Sequence, residues 1–140
     1  MLSKVSVDAI KSRLKEYEGY RRLPYRCTEG YLTIGIGRNL ESVGLSESES
    51  EYLLVNDIQQ AVQDCENTFQ WFKKLTHGRK EVLVEMRFQL GIDGVKKFKN
   101  MLKFIEDGKY TEASQEMINS AWHKQTPRRC EELAHRMFVG

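Results

Sequence analysis

The 140-residue chain has little proline and few cysteines, and it contains neither a repeat nor a low-complexity segment. Its three cysteines, Cys27, Cys65 and Cys130, lie far apart, so no CxxC pair indicates a structural zinc site. Because their number is odd, at least one thiol stays unpaired within the chain, which favours reduced cysteines over a disulfide framework. We therefore expect no bound metal and no other cofactor.

Long apolar segments are also absent. Without a run of about 18 apolar residues, neither a transmembrane helix nor stable membrane insertion is expected. The first residues, MLSKVSVDAIKSRLKEYEG, are charged and lack an apolar core, which argues against a cleaved secretory signal. The sequence thus predicts a protein that accumulates in the cytoplasm in which it is made.

The charge balance excludes a strongly basic protein. The formal net charge is +2, and basic residues are scattered among acidic ones instead of forming a stripe, so nucleic-acid binding is not favoured. A mild positive charge is compatible with an anionic polymer such as a bacterial cell wall. With 40% hydrophobic and 30% charged residues, the composition is that of an ordinary globular domain large enough to bury a core.

The N-terminal third combines one helix with short strands. Ser6 is a predicted N-cap and Gly19 a predicted stop, and apolar residues recur between them at helical spacing. Between Pro24 and Leu40, β-forming residues flank a turn at Thr28-Glu29-Gly30, in which Gly30 can adopt positive φ. We therefore predict a small antiparallel sheet of two or three strands.

Helices are predicted for the remainder of the chain. Ser46 and Glu49 form a capping box that begins a long helix over residues 47–66. The next predicted helix is capped by Thr76 and ended by Gly91, and it carries Val82, Met86 and Leu90 on one face. A turn at Asp93-Gly94 and helices over 95–106 and 110–122 are predicted to follow. The last predicted helix begins at Thr126-Pro127 and carries Leu133 and Met137. The fold class is therefore α+β.

Three residues near the sheet could carry chemistry. Glu18 ends the first helix, where a carboxyl group can face a cleft and act as a proton donor. Cys27 and Thr33 follow on the predicted hairpin and would place two small polar groups near that acid. Taken one at a time, each has an ordinary structural explanation, so their combination is what suggests a site.

The stretch that contains them, EGYRRLPYRCTEGYLTIGIGRN, resembles the active-site signature of the phage-type (T4-like) lysozymes, the endolysins of glycoside hydrolase family 24. That signature is Glu, eight residues, Asp or Cys, five residues and Thr, a spacing that Glu18, Cys27 and Thr33 keep. Phe88-Gln89-Leu90-Gly91 resembles the end of the family's long core helix, and the segment from Trp122 to Arg129 resembles its W-x-x-QTP-x-R motif.

The resemblance implies a muramidase that hydrolyses the β-1,4 bond between N-acetylmuramic acid and N-acetylglucosamine in peptidoglycan. Glu18 would be the general acid, and Cys27 and Thr33 would hold a water on the opposite face of the sugar, which gives inversion. The substrate-binding residues that it implies are Phe88, Gln89 and Arg129, the last of them near Glu18.

The implied fold is a single lysozyme-like domain, residues 1–140. A sheet-bearing lobe of about residues 15–60 would be joined by the long helix to a helical lobe of about residues 1–14 plus 61–140. The implied biology is host cell lysis late in infection, or local wall digestion during entry. For lysis, a monomer made in the host cytoplasm would reach the wall, in the periplasm, through a lesion made by a holin.

Cysteine at the second signature position leaves other functions open. A neutral thiol is a poor general base, so the chain could be a lysozyme-fold module that binds peptidoglycan without cutting it. Alternatively, Cys27 could be the nucleophile of a thiol enzyme, with His77, His123 or His135 as its base. The expectation we follow is that Glu18 supplies most of the catalysis and that Cys27 positions the water.

Overall fold

The computed structural model describes residues 6–140. Over these residues seven α-helices accompany one three-stranded antiparallel sheet near the N-terminus, so the predicted α+β class is confirmed. The elements are α1 (Val7–Glu18), β1 (Arg21–Arg26), β2 (Leu32–Gly35), β3 (Arg38–Asn39), α2 (Glu47–Thr68), a short 3-10 helix (Phe72–Lys74), α3 (His77–Lys96), α4 (Lys99–Glu106), α5 (Tyr110–Ile118), α6 (Ala121–Gln125) and α7 (Pro127–Val139).

The chain forms two compact units, one that ends at Glu51 and one that comprises Tyr52–Gly140. The first contains α1, the sheet and the start of α2, and the second contains the rest of α2 and all later helices. The division predicted from the sequence, with residues 1–14 in the helical lobe and a boundary near residue 60, stays a prediction. Its residues 1–5 lie outside the described part.

Local capping chemistry fixes both ends of α1. The Ser6 Oγ accepts a hydrogen bond from the Ala9 N–H at 3.1 Å, which satisfies one of the free donors of the first turn. At the other end Gly19 has φ +69°, and its N–H donates to the Lys15 carbonyl at 2.9 Å. A left-handed glycine of this kind commonly ends a helix. Both predicted helix ends are confirmed, and Glu18 is the last helical residue.

The sheet has the order β1-β2-β3, with β2 in the centre. Gly30, at φ +86°, makes the β1–β2 turn, and its N–H donates to the Cys27 carbonyl at 2.8 Å. Thr33 on β2 lies between Tyr25 of β1 and Asn39 of β3, and among the described residues it is the one buried polar side chain. The hairpin thus holds Cys27 at its turn and Thr33 in its centre.

The capping box of α2 forms as predicted. The Glu49 N–H donates to the Ser46 Oγ at 3.1 Å, and the Ser46 N–H donates to Glu49 Oε1 at 2.8 Å. Each residue therefore satisfies the other's backbone donor, which fixes the start of the helix. The helix continues to Thr68, two residues beyond its predicted end at residue 66.

The second unit contains the hydrophobic core. Its fully buried large side chains come from α3, α4, α5 and α7 and include Val82, Leu83, Met86, Met101, Ile105, Met117, Leu133 and Met137. The predicted inward positions on α3 and α7 are confirmed by Val82, Met86, Leu133 and Met137, whereas Leu90 is only partly buried against the core.

Three predicted boundaries are wrong. Gly91 interrupts α3 at φ +76°, but helical backbone resumes to Lys96, so Asp93-Gly94 is not a turn. The resumed segment contains Gly94 and buries Val95 completely, and this packing outweighs the poor helix propensity of Gly94. The predicted helix 95–106 begins at Lys99, and the predicted helix 110–122 ends at Ile118. The next helix, α6, begins after Ser120, whose Oγ accepts from the His123 N–H at 3.3 Å.

Candidate active site

Glu18 is exposed and lies against the β2–β3 turn. A Cβ atom built on Gly37 would be 2.9 Å from both Glu18 Cδ and Glu18 Oε2, closer than such atoms approach in proteins. The carboxyl group therefore occupies the space that a side chain at position 37 would need. Because Glu18 ends a helix capped by Gly19, its backbone is fixed while its carboxyl group stays accessible to solvent.

Cys27 and Thr33 are brought together by the β1–β2 hairpin. The backbone N–H groups of Glu29 and Tyr31 and the Thr33 hydroxyl lie close enough to the Cys27 thiol to lower its pKa. The Tyr31 carbonyl accepts hydrogen bonds from the Thr33 Oγ1 at 2.9 Å and from the Cys27 N–H at 2.9 Å. The two signature residues thus share the Tyr31 carbonyl as a hydrogen-bond acceptor, and the half-exposed position of Cys27 leaves its thiol accessible.

These donors change the acidity of the thiol. The backbone N–H groups of Glu29 and Tyr31 are the main cause of a pKa for Cys27 below its ordinary value, and the Thr33 hydroxyl acts in the same direction. Partial burial opposes the shift. Donors directed at sulfur stabilise the thiolate, so Cys27 is more acidic than an ordinary thiol.

The other two thiols behave in the opposite way. Burial is the main cause that raises the pKa values of Cys65 and Cys130, each to about 11, and both lie in the core of the second unit. The Cys130 Sγ donates to the Met117 carbonyl at 3.2 Å. These two residues therefore have the environment of small buried hydrophobic side chains.

Phe88 and Arg129, two of the residues expected to bind substrate, line one pocket of the second unit. The pocket has a volume of about 280 Å³ and is otherwise lined by Leu54, Ile58, Glu81, Val84 and Glu85. Phe88 is 43% exposed, so part of its ring faces the solvent. An exposed aromatic side chain beside a guanidinium group is a chemically suitable surface for a sugar.

Gln89 has a different environment from Phe88. Its Oε1 accepts a hydrogen bond from the Trp122 indole N–H at 3.1 Å, and its Nε2 donates to the Thr126 Oγ1 at 3.4 Å. Trp122 is almost fully buried, so Gln89 satisfies a donor that water does not reach. The amide links α3 to the segment that joins α6 and α7, and its predicted contact with substrate stays a prediction.

Two residues near the site were not identified from the sequence. The first is Gly37, whose contact with Glu18 requires the turn and the end of α1 to be placed together in space. The second is Arg38, whose partner is Glu49. The signal that could have identified Glu49 was its position in the α2 capping box, close to the end of β3.

The first unit offers Cys27 no histidine partner, because no histidine occurs in the first 51 residues of the sequence. His123 instead contacts a glutamate of its own unit: its Nε2 lies 2.9 Å from Glu131 Oε1 on α7.

No described helix has both the length and the hydropathy to cross a bilayer.

The chain is similar to proteins of known type. A family model described as phage lysozyme matches residues 15–137. "Probable T4-type lysozyme 1" and "Probable T4-type lysozyme 2" of Dictyostelium discoideum are 37% and 35% identical to it, and each match covers 88% of this chain and 89% of the relative. The "Pre-baseplate central spike protein Gp5" of Enterobacteria phage T4 is 26% identical, over 91% of this chain but only 27% of that protein.

Proposed function

The chain belongs to the phage lysozyme family, and from this membership we propose that it hydrolyses the β-1,4 bond between N-acetylmuramic acid and N-acetylglucosamine, with Glu18 as the general acid. It is a lysozyme, a glycoside hydrolase whose substrate is bacterial peptidoglycan. The observation that carries the assignment of Glu18 is its environment: an exposed carboxyl group at the end of α1, in the unit that also contains Cys27 and Thr33.

In this mechanism Glu18 protonates the glycosidic oxygen of the leaving sugar while a water attacks the anomeric carbon from the opposite face. The Cys27 sulfur and the Thr33 hydroxyl hold that water, which becomes the new anomeric hydroxyl and releases its second proton to the solvent. The lowered pKa of Cys27 supports this role, because the N–H groups that favour the thiolate also make the sulfur a better hydrogen-bond acceptor for the attacking water. Attack by water in a single displacement gives inversion at the anomeric carbon.

The decisive assay is the release of new reducing ends from purified peptidoglycan. We expect Glu18→Gln to lose about 10²-fold to 10⁴-fold in rate, because the amide has no proton to donate at that position. Glu16→Gln is the matched control, an exposed glutamate of the same helix, and should keep wild-type activity. Cys27→Ala should lose far less activity than Glu18→Gln, and the reverse order would contradict the assignment.

The same assay separates this proposal from a module that only binds peptidoglycan. Wild-type protein that sediments with purified sacculi but releases no reducing ends would establish the binding module and exclude the enzyme. For the active enzyme, proton NMR of the first product formed reports its anomeric configuration. The α-anomer is expected from inversion of a β-linked substrate, whereas an initial β-anomer would require a covalent intermediate.

Phe88 and Arg129 are proposed as substrate-binding residues of the second unit. The pocket they share is mainly apolar, so a sugar ring can stack on Phe88 while Arg129 donates to its hydroxyl groups. Phe88→Ala should therefore raise KM more than it lowers kcat. Phe138→Ala is the control, because Phe138 is also half-exposed but lies outside this pocket.

For the biological role we propose host cell lysis by a monomer that is made in the host cytoplasm and reaches the periplasmic wall through a holin lesion. Similar proteins occur in an amoeba as well as in a phage, so this role needs its own test. Expression in a bacterial host should leave the culture turbid until a holin is co-expressed, and Glu18→Gln should abolish the lysis. Lysis without the holin would contradict this route.

A further inference from the structure

We propose that Gly37 is a positioning residue for Glu18: its missing side chain leaves the space in which the catalytic carboxyl group lies. The inference rests on the proposed role of Glu18 as the general acid and adds a second residue to it. The observation behind it is the contact described above, in which a Cβ on Gly37 would be 2.9 Å from Glu18 Cδ and Oε2 and 3.1 Å from Glu18 Cγ.

The turn that carries Gly37 is held from both sides. Arg38, the next residue, pairs with Ile34 across the β2–β3 ladder. The Arg38 guanidinium donates from Nη1 to the Gly44 carbonyl at 2.9 Å and to Glu49 Oε1 at 2.8 Å. These bonds tie the strand after Gly37 to the following loop and to the start of α2, so the turn cannot easily move away from the carboxyl group.

If a methyl group were added at position 37, the Glu18 side chain would move and the turn would stay in place. Its backbone is fixed by the end of α1, whereas its exposed side chain can rotate into another staggered conformation. A methyl group at position 37 would therefore displace the carboxyl group and leave the surrounding fold in place. A displacement of about 1 Å at a catalytic group can cost about 10²-fold in rate.

Gly35 provides a matched control within the same sequence motif. Gly35 and Gly37 have φ values of +70° and +73°, so alanine is strained to a similar degree at both positions. A Cβ on Gly35, however, would have no atom of the described residues within 4 Å. The two alanine variants therefore share the backbone penalty and differ in the contact with Glu18.

The test compares wild type, Gly37→Ala and Gly35→Ala on soluble peptidoglycan fragments. We expect Gly37→Ala to lose about 10-fold to 100-fold in kcat while KM changes by less than about 2-fold, because the acid acts in the transition state and not in binding. Gly35→Ala should keep a kcat close to that of wild type at a temperature where circular dichroism shows it folded. Equal losses in the two variants would overturn the proposal.

A direct measurement of the contact does not depend on activity. In wild-type protein, nuclear Overhauser effects should connect the Glu18 Hγ protons with the Gly37 Hα protons. In Gly37→Ala, contacts from Glu18 Hγ to residue 37 should weaken or move. Absence of the contact in the wild type, or an unchanged Glu18 position in the variant, would refute the positioning role even if Gly37→Ala proved too unstable for kinetics.

The two proposals fail in different ways. If Glu18→Gln keeps full activity, the general-acid assignment fails, although the nuclear Overhauser contact between residues 18 and 37 can still be present. If Glu18→Gln is inactive while Gly37→Ala has wild-type kcat, the general-acid assignment stands and the positioning role alone is refuted.

Discussion

Arg38 and Glu49 form an ion pair that joins the end of the sheet to the start of α2: Arg38 Nη1 donates to Glu49 Oε1 at 2.8 Å, and Arg38 Nη2 donates to Glu49 Oε2. Glu49 Oε1 also accepts from the Ser46 N–H at 2.8 Å, so one carboxyl group caps a helix and binds a strand residue. A two-point contact of this kind fixes geometry more firmly than a single bond.

This pair predicts a dependence of stability on pH. The hydrogen bond from Arg38 is the main cause that lowers the pKa of Glu49 to about 2 from its ordinary value of 4.5. Because the folded-state pKa is depressed, the contribution of Glu49 is complete above about pH 4.5 and is lost as the pH falls towards 2. In urea unfolding, Glu49→Gln should be less stable than wild type near neutral pH. The difference in free energy of unfolding between the two proteins should disappear as the pH falls from about 4.5 to about 2. A difference that does not change with pH would contradict the ion pair.

The three thiols should differ in reactivity. With iodoacetamide at neutral pH, the first adduct should form on Cys27, whose pKa is lowered mainly by backbone N–H groups, and not on the buried Cys65 or Cys130, whose pKa values are about 11. Peptide mass spectrometry identifies the alkylated residue. In denaturant all three should react, and Cys27→Ser should abolish the fast adduct. A first adduct on a buried thiol would contradict the lowered pKa that the hairpin gives to Cys27.

Gln89 should contribute to stability through Trp122. Gln89→Leu leaves the buried indole N–H without its partner, which should lower the free energy of unfolding by about 1–3 kcal/mol. Gln63→Leu, on the exposed surface of α2, is the control and should change it by less than about 0.5 kcal/mol. Chemical denaturation measures both values. A cost for Gln89→Leu that is no smaller in a Trp122→Phe background would mean that the loss arises elsewhere.

The helix α7 allows a test of the core. Leu133 is 1% exposed and Phe138 is 51% exposed. Leu133→Ala should therefore lower the free energy of unfolding by about 2–5 kcal/mol, through lost burial and the cavity that remains. Phe138→Ala, which removes a larger but half-solvated side chain of the same helix, should cost less. Thermal and urea unfolding measure both losses in stability. A larger loss for Phe138→Ala than for Leu133→Ala would contradict the assignment of Leu133 to the core.

The sequence alone predicted features that depend on neighbouring residues. Helix starts at Ser6, Ser46 and Thr76 follow from side-chain oxygens three residues before a free N–H, and these caps need no distant partner. The turn at Gly30 follows from glycine's access to positive φ. The candidate site could also be predicted from the sequence because its residues are close along the chain. Glu18, Cys27 and Thr33 lie within 16 residues of one another, so their spacing is a recognisable motif.

Only the tertiary structure decided which distant groups meet. Helix α3 resumes after Gly91 because Val95 can be buried there, and the sequence near Gly91 does not contain that packing. The sequence predicts Glu49 as part of a helix cap, and this contact forms. Its ion pair with Arg38 exists only because the fold of the β3–α2 loop places the two side chains together. Glu18 lies on Gly37 because the end of α1 meets a turn 19 residues further along the chain. Capping is a short-range interaction that the sequence encodes locally, whereas each of these contacts requires the chain to be folded first.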